Sequence, residues 1–270
     1  MKRTRLLAAA AALALCAPLS AATTANAATI TMSGSTSVAP LATKLAKAFL
    51  KTPKGKGNKV VILQGGSDIG ITDVSRGRVT LGMSSRDPKP ADPGGIVFNK
   101  FARDAVCVVT NSSNRIPTLS QTQIQDIFSG RIRSWSQVPG AGASGPIDLV
   151  TRTAASGTQD AFQNIFMGQT LRVAASATTK SSNGLQAQTI KSNPNAIGYA
   201  SFAFVGGLHT VPYQGVPCTL RNAKSGQYAG SRNFFLVSRG AARGLAKNFI
   251  NFARSRPGQA IVGSEWVPLR

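Results

Sequence analysis

Short runs rich in β-branched residues alternate with helix-like segments along almost the whole chain, and this alternation restricts the fold more than any other feature. In the segment 37–51, the apolar residues Val38, Leu41, Leu45 and Phe49 recur every three or four positions and therefore share one helical face. Strands that alternate with helices predict an α/β fold with mainly parallel sheets. The predicted strands are 29–32, 60–63, 79–83, 105–110, 147–150, 196–202 and 234–238, and the predicted helices are 37–51, 69–76, 121–128, 157–167, 184–191 and 241–255.

The first 27 residues have the pattern of a secretory signal peptide. Three basic residues precede an apolar run at 6–16, and Ala25-Asn26-Ala27 fits a small-x-small cleavage site. The apolar run is too short to span a membrane. We therefore expect a cleaved leader at 1–27 and a mature protein of about 243 residues, located in the periplasm or exported further.

The charge of the chain is unusual. There are 31 basic and 9 acidic residues, and 28 basic residues remain without the leader, so the mature net charge is near +19. A field of this strength favours anionic partners, which are small anions, anionic lipids or nucleic acids, although a basic charge can also serve solubility alone. The basic residues are scattered and aromatic residues are few, so we expect no specific nucleic-acid partner.

Two cysteines follow the leader, Cys107 and Cys218. In an oxidising compartment an even pair is compatible with one disulfide, and two separate buried thiols are the alternative.

The residues that catalysis would need are scarce. His209 is the only histidine and Glu265 the only glutamate, so neither a metal site nor a pair of catalytic carboxylates is well supplied. No serine stands in a G-x-S-x-G or S-x-x-K motif, which are common signatures of a serine nucleophile. We expect a binding protein without enzymatic activity, metal or cofactor, and we assign His209 to packing or to the surface.

Three turns share one form, in which a strand ends, small hydroxyl and glycine residues follow, and a helix begins. They lie at 32–40, 63–70 and 151–162. The first amides of a helix lack intrahelical partners and carry partial positive charge, so converging helix starts with hydroxyl groups can bind an oxyanion. The alternative is ordinary capping, since Ser156 and Gln159 also fit a capping box.

Arg152 adds a charge to the third turn. It stands between a predicted strand and a predicted helix start, where a guanidinium can give two parallel hydrogen bonds to an oxyanion. A surface salt bridge is the other interpretation of this residue.

Five motifs in this order resemble the phosphate-binding proteins of ABC transporters, the PstS family of type 2 periplasmic binding proteins. They cover nearly the whole mature chain. The motifs are Gly34-Ser35-Thr36-Ser37-Val38-Ala39-Pro40-Leu41, Gly65-Gly66-Ser67, Gly82-Met83-Ser84-Ser85-Arg86, Arg152 with Ser156-Gly157-Thr158, and Ala196-Ile197-Gly198-Tyr199-Ala200.

The resemblance implies two α/β lobes, each a mainly parallel sheet flanked by helices, joined by a two-strand hinge. Lobe 1 would comprise 28–110 and 224–270, and lobe 2 would comprise 111–223. The phosphate-binding residues that it implies are Thr36, Ser37, Ser67, Ser85, Arg152, Ser156, Gly157 and Thr158, with Ser35, Asp68 and Arg86 as further candidates.

The chain departs from the family pattern at two positions. Ser85 stands where many members have an aspartate that accepts the proton of phosphate and repels sulfate, and Asp68 is a candidate for that role. Thr153 stands where the family usually has a glutamate after the arginine, so we expect Arg152 to be held in another way.

The function that the resemblance implies is capture of inorganic phosphate by a monomeric extracytoplasmic protein that delivers it to an inner-membrane ABC permease. Two alternatives are open. One is a binding protein for another oxyanion, such as sulfate, molybdate or tungstate. The other is a secreted basic protein that uses the same fold to bind polyanions or surfaces.

Overall fold

The computed structural model describes residues 27–269, so the predicted leader lies almost entirely outside the described residues. The strands are β1 (Thr29–Gly34), β2 (Lys59–Gln64), β3 (Leu81–Ser84), β4 (Ile96–Thr110), β5 (Asp148–Arg152), β6 (Thr178–Lys180), β7 (Ala196–Ser201), β8 (His209–Thr210) and β9 (Ser231–Arg239). The α-helices are α1 (Ala39–Phe49), α2 (Ser67–Ser75), α3 (Gln121–Phe128), α4 (Gly157–Phe162), α5 (Asn183–Ser192), α6 (Leu220–Ser225), α7 (Gly244–Arg254) and α8 (Arg256–Glu265).

The strands form one path in the order β2-β1-β3-β9-β4-β7-β5-β6, with β8 paired to β4. Parallel pairs lie toward both ends of this path: β1 with β2 and β3, and β5 with β6 and β7. The two long strands β4 and β9 pair antiparallel with their neighbours in the middle. The α/β expectation is confirmed, with parallel outer parts joined through antiparallel central strands.

β4 connects the two parts of the sheet. Its first section pairs with β9 up to Ala105, and its last section, Val106 to Thr110, pairs with β7. The sequence predicted only the end of this strand, because Asn99, Lys100 and Asp104 interrupt its apolar pattern. A single strand therefore carries the chain from one part of the molecule to the other.

Two large hydrophobic cores lie on either side of this connection. The first core contains residues of β1, β3, β9, α1, α7 and α8, with Phe49, Phe249 and Trp266 among its fully buried members. The second core contains residues of β7, α3 and the last part of β4, with Trp135 and Tyr199 among its members. Each core closes over one parallel group of strands, as expected for a sheet with helical cover.

The second core also contains a disulfide. Cys107 in β4 is bonded to Cys218, just before α6, with their Cα atoms 5.8 Å apart. His209 lies nearby in β8, where its Nε2 atom is 2.8 Å from the carbonyl oxygen of Ile116. The residue is half-buried, in agreement with the expected packing or surface position.

Within residues 27–269, no helix has the length and apolar character to cross a bilayer. The same residues contain no cluster of three or more His, Cys, Asp or Glu side chains that could hold a metal ion.

Candidate functional site

The first two predicted turns meet at one edge of the sheet. β1 and β2 are parallel neighbours, so the turn after Gly34 and the turn after Gln64 leave the sheet at the same end. The turn after β3 joins them there, because β3 is also parallel to β1. Ligands of open α/β sheets bind at such carboxyl ends of strands.

Two glycines allow these turns to pack closely. Gly34 has a φ of +126° and Gly66 a φ of +116°, which side-chain-bearing residues rarely adopt. A Cβ atom on Gly34 would lie 2.4 Å from the carbonyl oxygen of Met83, and one on Gly66 would lie 2.7 Å from that of Ala155. Gly66 therefore lets α2 approach the third turn.

The third turn, between β5 and α4, faces the first two directly. The Oγ atom of Ser37 lies 2.9 Å from Oγ1 of Thr158, and the amide of Asp68 donates to the carbonyl oxygen of Ala155 at 3.1 Å. A Cβ atom on Gly157 would lie 2.3 Å from the Oγ atom of Ser67. The structure thus brings the three turns together in one buried site.

Three buried serines line the site on the side of the first core. Ser35 donates through its hydroxyl to Oγ of Ser85 at 2.8 Å. The amide of Ser85 donates to Oγ of Ser67 at 3.0 Å. These contacts join the turns after β1, β2 and β3 in one hydrogen-bond network.

The capping interpretation is correct in part. Oγ of Ser156 accepts from the amides of Thr158 and Gln159 at 3.1 and 3.3 Å, so Ser156 is the N-cap of α4. The capping box is wrong, because the Gln159 side chain instead meets the hydroxyls of Thr151 and Tyr199. Because Ser156 already accepts from two of the first amides of α4, side chains are the stronger source of positive charge in the site.

Arg152 supplies one such charge. It is 3 % exposed, and its Nε and Nη2 atoms donate to the carbonyl oxygens of Lys180 and Ser181 at 3.1 and 3.0 Å. Nη2 also lies 3.3 Å from Oγ1 of Thr36, and Nη1 has no hydrogen-bond partner among residues 27–269. The carbonyl oxygens of Lys180 and Ser181 therefore hold Arg152, in the absence of a glutamate at position 153.

Burial also affects the acidity of Arg152. Desolvation of the guanidinium lowers its pKa to about 10, and the nearby charge of Arg232 acts in the same direction. A buried cation of this kind, with neutral acceptors around it, favours an anion at its free edge.

Arg232 is a second buried arginine that sequence reasoning missed. It stands near the start of β9, is 6 % exposed, and donates through Nη2 to Oγ of Ser37 at 2.8 Å. Its Nη1 atom likewise has no partner in the described part of the chain. Burial lowers the pKa of Arg232, while the carboxylate of Asp104 opposes this change.

Asp104 is the partner of Arg232 and was also missed. Its Oδ2 atom accepts from Nε and Nη2 of Arg232 at 3.1 and 2.8 Å and from the hydroxyl of Ser201 at 2.8 Å. The side chain is 1 % exposed, and burial raises its pKa against the influence of Arg232. In the sequence, Asp104 stands directly before the apolar run of β4 at 105–109, which makes it an unusual charged residue but does not indicate Arg232 as its partner.

Asn183, the first residue of α5, completes the site. Its Nδ2 atom donates to Oγ1 of Thr36 at 2.9 Å and to Oγ of Ser37 at 2.8 Å. Its Oδ1 atom accepts from the amide of Ser201 at 3.3 Å. The amide thereby orients two predicted hydroxyls from the opposite side of the site.

Arg86 and Asp68 do not join this cluster through their charged groups. The guanidinium of Arg86 donates to Oδ1 of Asp68 at 2.7 Å and to both carboxylate oxygens of Asp92 at 2.6 and 3.0 Å. Arg86 is therefore already fully engaged, and the Asp68 carboxylate is turned toward it. The charged groups of Arg86 and Asp68 therefore contact each other, and Arg86 also contacts Asp92.

Comparisons with known proteins agree with this arrangement. A family model described as a PBP superfamily domain matches residues 19–257. The phosphate-binding protein PstS of Bacillus subtilis is 27 % identical over 231 residues, which cover 84 % of this chain and 75 % of that protein.

Two solved structures are similar over almost their whole length. One is a protein from Clostridium perfringens assigned as a phosphate ABC transporter substrate-binding protein, solved with bound phosphate. It has a TM-score of 0.83 and 32 % identity, and the match covers 90 % of this chain and 100 % of that one. The other is an ABC-type phosphate transport receptor from Vibrio cholerae, with a TM-score of 0.71, 26 % identity and coverage of 88 % and 99 %. The fold, the order of the motifs and these similarities together show that the chain belongs to the PBP superfamily and, within it, to the PstS family of phosphate-binding proteins.

Proposed function

We propose that this protein captures inorganic phosphate in the site between its two cores and delivers it to an ABC-type permease. The observation that carries the proposal is the meeting of Arg152 and Arg232 at the hydroxyls of Thr36 and Ser37. Both guanidinium groups are buried and each has an Nη1 atom without a partner among the described residues. Charge-assisted hydrogen bonds from two such groups suit a small, multiply charged oxyanion.

The same proposal assigns roles to the residues around the two arginines. Hydroxyl groups and the Asn183 amide would surround the anion, and Gly157 lets the start of α4 approach Ser67 and Ser85 without a clash. The proposed ligand-binding residues are Thr36, Ser37, Ser67, Ser85, Arg152, Ser156, Gly157, Thr158, Asn183 and Arg232, with Ser35 as their support.

We propose that Asp104 provides the preference for phosphate over sulfate. At neutral pH hydrogenphosphate has a proton to donate, whereas sulfate has none. Oδ2 of Asp104 is occupied by Arg232 and Ser201, and Oδ1 accepts no side-chain hydrogen bond within residues 27–269. This carboxylate would replace the aspartate that is missing at Ser85.

The proposed lobes follow the two cores except where they join, because residues 105–109 and Tyr228 of lobe 1 pack in the second core. Lobe 1 comprises 28–110 and 224–270, lobe 2 comprises 111–223, and β4 and β9 provide the connection. The leader at 1–27 would direct a monomeric protein out of the cytoplasm, where a binding protein without catalytic function can meet its permease. The names of the relatives in B. subtilis, C. perfringens and V. cholerae support this role.

Calorimetry on ligand-stripped protein with phosphate, sulfate, molybdate and tungstate tests the proposal. We expect phosphate to bind in the micromolar range or more tightly, and sulfate to bind at least about a hundredfold more weakly, because it leaves a buried acceptor unpaired. Asp104→Asn should reduce this difference. The absence of binding by any oxyanion would overturn the function, and tighter binding of sulfate, molybdate or tungstate would change the ligand and keep the fold.

A further inference from the structure

One face of the molecule is basic and almost free of acidic residues. Residues 28–67 and 241–264 contain no Asp or Glu. We call the exposed cations of these two segments the basic face. Its members are Lys44, Lys47, Lys51, Lys54, Lys56, Lys59, Arg243, Lys247, Arg254 and Arg256, and every one of them is exposed.

Packing brings the two segments together. α1 lies against α7, where the ring of Phe49 is 5.4 Å from that of Phe249 and 5.7 Å from that of Phe252. α8 also contacts α1, and Lys44 forms an ion pair with Glu265 at the end of α8. The ten cations therefore lie in the helices that cover the first core or in segments next to them, with Lys59 in β2.

Little on the protein neutralises these cations. Lys44 is the only member that forms a salt bridge within the described residues, and Arg254 donates to the carbonyl oxygen of Lys100. Like charges that remain close together without counterions raise the free energy of the folded protein, and an anionic surface would reverse that cost.

An apolar crevice opens among the same helices. It has a volume of about 370 Å³, lies between the end of α1 and α7, and is lined by residues that include Phe49, Pro53, Lys54 and Phe252. Apolar surface beside exposed lysines matches a lipid bilayer, which offers acyl chains next to phosphate groups.

We propose that the basic face binds the surface of an anionic lipid bilayer. A nucleic acid fits less well, because a strand of phosphates has no apolar group for the crevice and the face has no exposed aromatic side chain for base stacking. The lysines after α1 lie beyond its last residue, whereas Thr36 and Ser37 precede its first residue. An 11-residue helix is about 16 Å long, so bilayer contact would leave the phosphate site accessible.

Vesicle co-sedimentation of the full protein tests this inference. Vesicles of equal parts phosphatidylglycerol and phosphatidylcholine should bind the protein at low salt and release most of it at physiological or higher salt. Vesicles of phosphatidylcholine alone should not bind it. Failure to bind the anionic vesicles at low salt would overturn the proposal, whatever the outcome of phosphate calorimetry.

Two matched variants test whether vesicle binding depends on where the positive charges lie or only on how many there are. The first carries Lys51→Gln, Lys54→Gln, Lys56→Gln and Lys247→Gln, all on the basic face. The second carries Arg115→Gln, Arg133→Gln, Lys191→Gln and Arg221→Gln, which are equally exposed and lie outside the basic face. Both lose four charges, and neither changes a residue of the phosphate site.

We expect the first variant to lose vesicle affinity by on the order of a hundredfold or more and the second to lose far less, with phosphate binding unchanged in both. Equal losses would show that only net charge matters and would overturn the assignment to this face. Binding of heparin or of a DNA oligonucleotide through the basic face, without vesicle binding, would assign the face to a soluble polyanion instead.

Discussion

Arg152 and Arg232 bring two positive charges into one buried site, but different groups hold them. Arg232 is neutralised by the carboxylate of Asp104, whereas Arg152 is held by the neutral carbonyl oxygens of Lys180 and Ser181. The cluster therefore retains about one uncompensated positive charge before a ligand binds. Desolvation by burial is the main cause of the low pKa of Arg152, with a smaller effect from Arg232, and the excess charge supports the affinity for an anion that we propose.

The affinity for phosphate should depend on the protonation of Arg152. Its pKa is lowered to about 10, and a bound dianion would raise it again, so the bound state retains the proton more strongly than the free state. Phosphate affinity should be complete below this pKa and should fall as the pH rises through about 10, by up to tenfold per pH unit above it. Calorimetry between pH 8 and pH 11, with circular dichroism to verify folding, measures this change.

Arg152→Gln is the control for this profile. Removal of one member of a buried charge pair costs about 2–5 kcal/mol, so the variant should bind phosphate roughly 30-fold to several thousandfold more weakly at pH 8. The phosphate affinity of this variant should decline less near pH 10 than that of the wild type. A profile parallel to the wild type would assign the titration to another group.

The sequence led to Arg152 and not to Arg232 for a physical reason. Arg152 stands four residues before Ser156, so a single turn contains both the charge and the hydroxyl. Arg232 and Asp104 reach the site from the two long strands, and only the register of β4 against β9 makes them opposite neighbours. Their separation of 128 residues left no local pattern to read.

At the scale of elements, α4 is a short helix that closes against the opposite side of the site. Its first residue, Gly157, has ordinary backbone angles, so the reason for a glycine there is space. A Cβ atom would lie 2.3 Å from Oγ of Ser67 and 2.7 Å from Oγ of Ser85. The start of α4 can therefore approach the first core only without a side chain.

Gly157→Ala should weaken phosphate binding without destabilising the ligand-free protein. Overpacking of about 1–3 kcal/mol in the closed site would lower affinity roughly 5- to 150-fold. Alanine otherwise favours a helix over glycine by about 0.5–1 kcal/mol, so the melting temperature without ligand should stay the same or rise. Calorimetry with phosphate and thermal unfolding without it measure the two effects.

Gly263→Ala provides the comparison, because a Cβ atom on Gly263 in α8 would meet no atom within 4 Å. Gly263→Ala should show the same increase in melting temperature, if any, as Gly157→Ala, and it should bind phosphate like the wild type. If Gly157→Ala bound phosphate normally, the close approach of α4 would have no part in binding.

The elements that the sequence predicted well are those with local signals. The bounds of α3 agree with the prediction at both ends, since Ser120 and Gln123 form a capping box before an amphipathic segment. α8 was missed because Pro257 and Gly258 resemble a break, although proline is favourable at a helix start and Ser255 caps this helix. The helix predicted at 157–167 changes after Phe162 into a π-helical turn, Gln163–Met167, which no local pattern indicated.

At the scale of the whole molecule, polar contacts join the two sides of the site. Besides the contacts of Ser37 with Thr158 and of Arg152 with Thr36, an ion pair joins Lys89 to Asp160. Lys89 belongs to the loop after β3, and Asp160 lies in α4. This pair thus links the two proposed lobes outside the buried cluster, at a cavity that both of them line.

Lys89→Gln should accelerate phosphate release, because it removes an ion pair that joins the two proposed lobes. A pair that is partly exposed contributes about 0.2–1 kcal/mol, so we expect a loss of affinity of roughly 1.5- to 5-fold, seen mainly in the dissociation rate and reduced at high salt. Stopped-flow measurement of phosphate release at two salt concentrations gives this dissociation rate.

Lys100→Gln is the control that distinguishes the loss of the ion pair from the loss of one positive charge near the anion. Lys100 lines the same cavity as Lys89, so its removal takes the same charge from the neighbourhood of the ligand, but it forms no salt bridge within residues 27–269. The field that both lysines add should change the association rate in both variants, since long-range attraction acts on encounter. Faster release in Lys89→Gln alone would identify the ion pair as a contact of the closed state, and equal release rates in the two variants would show that closure depends only on the buried contacts.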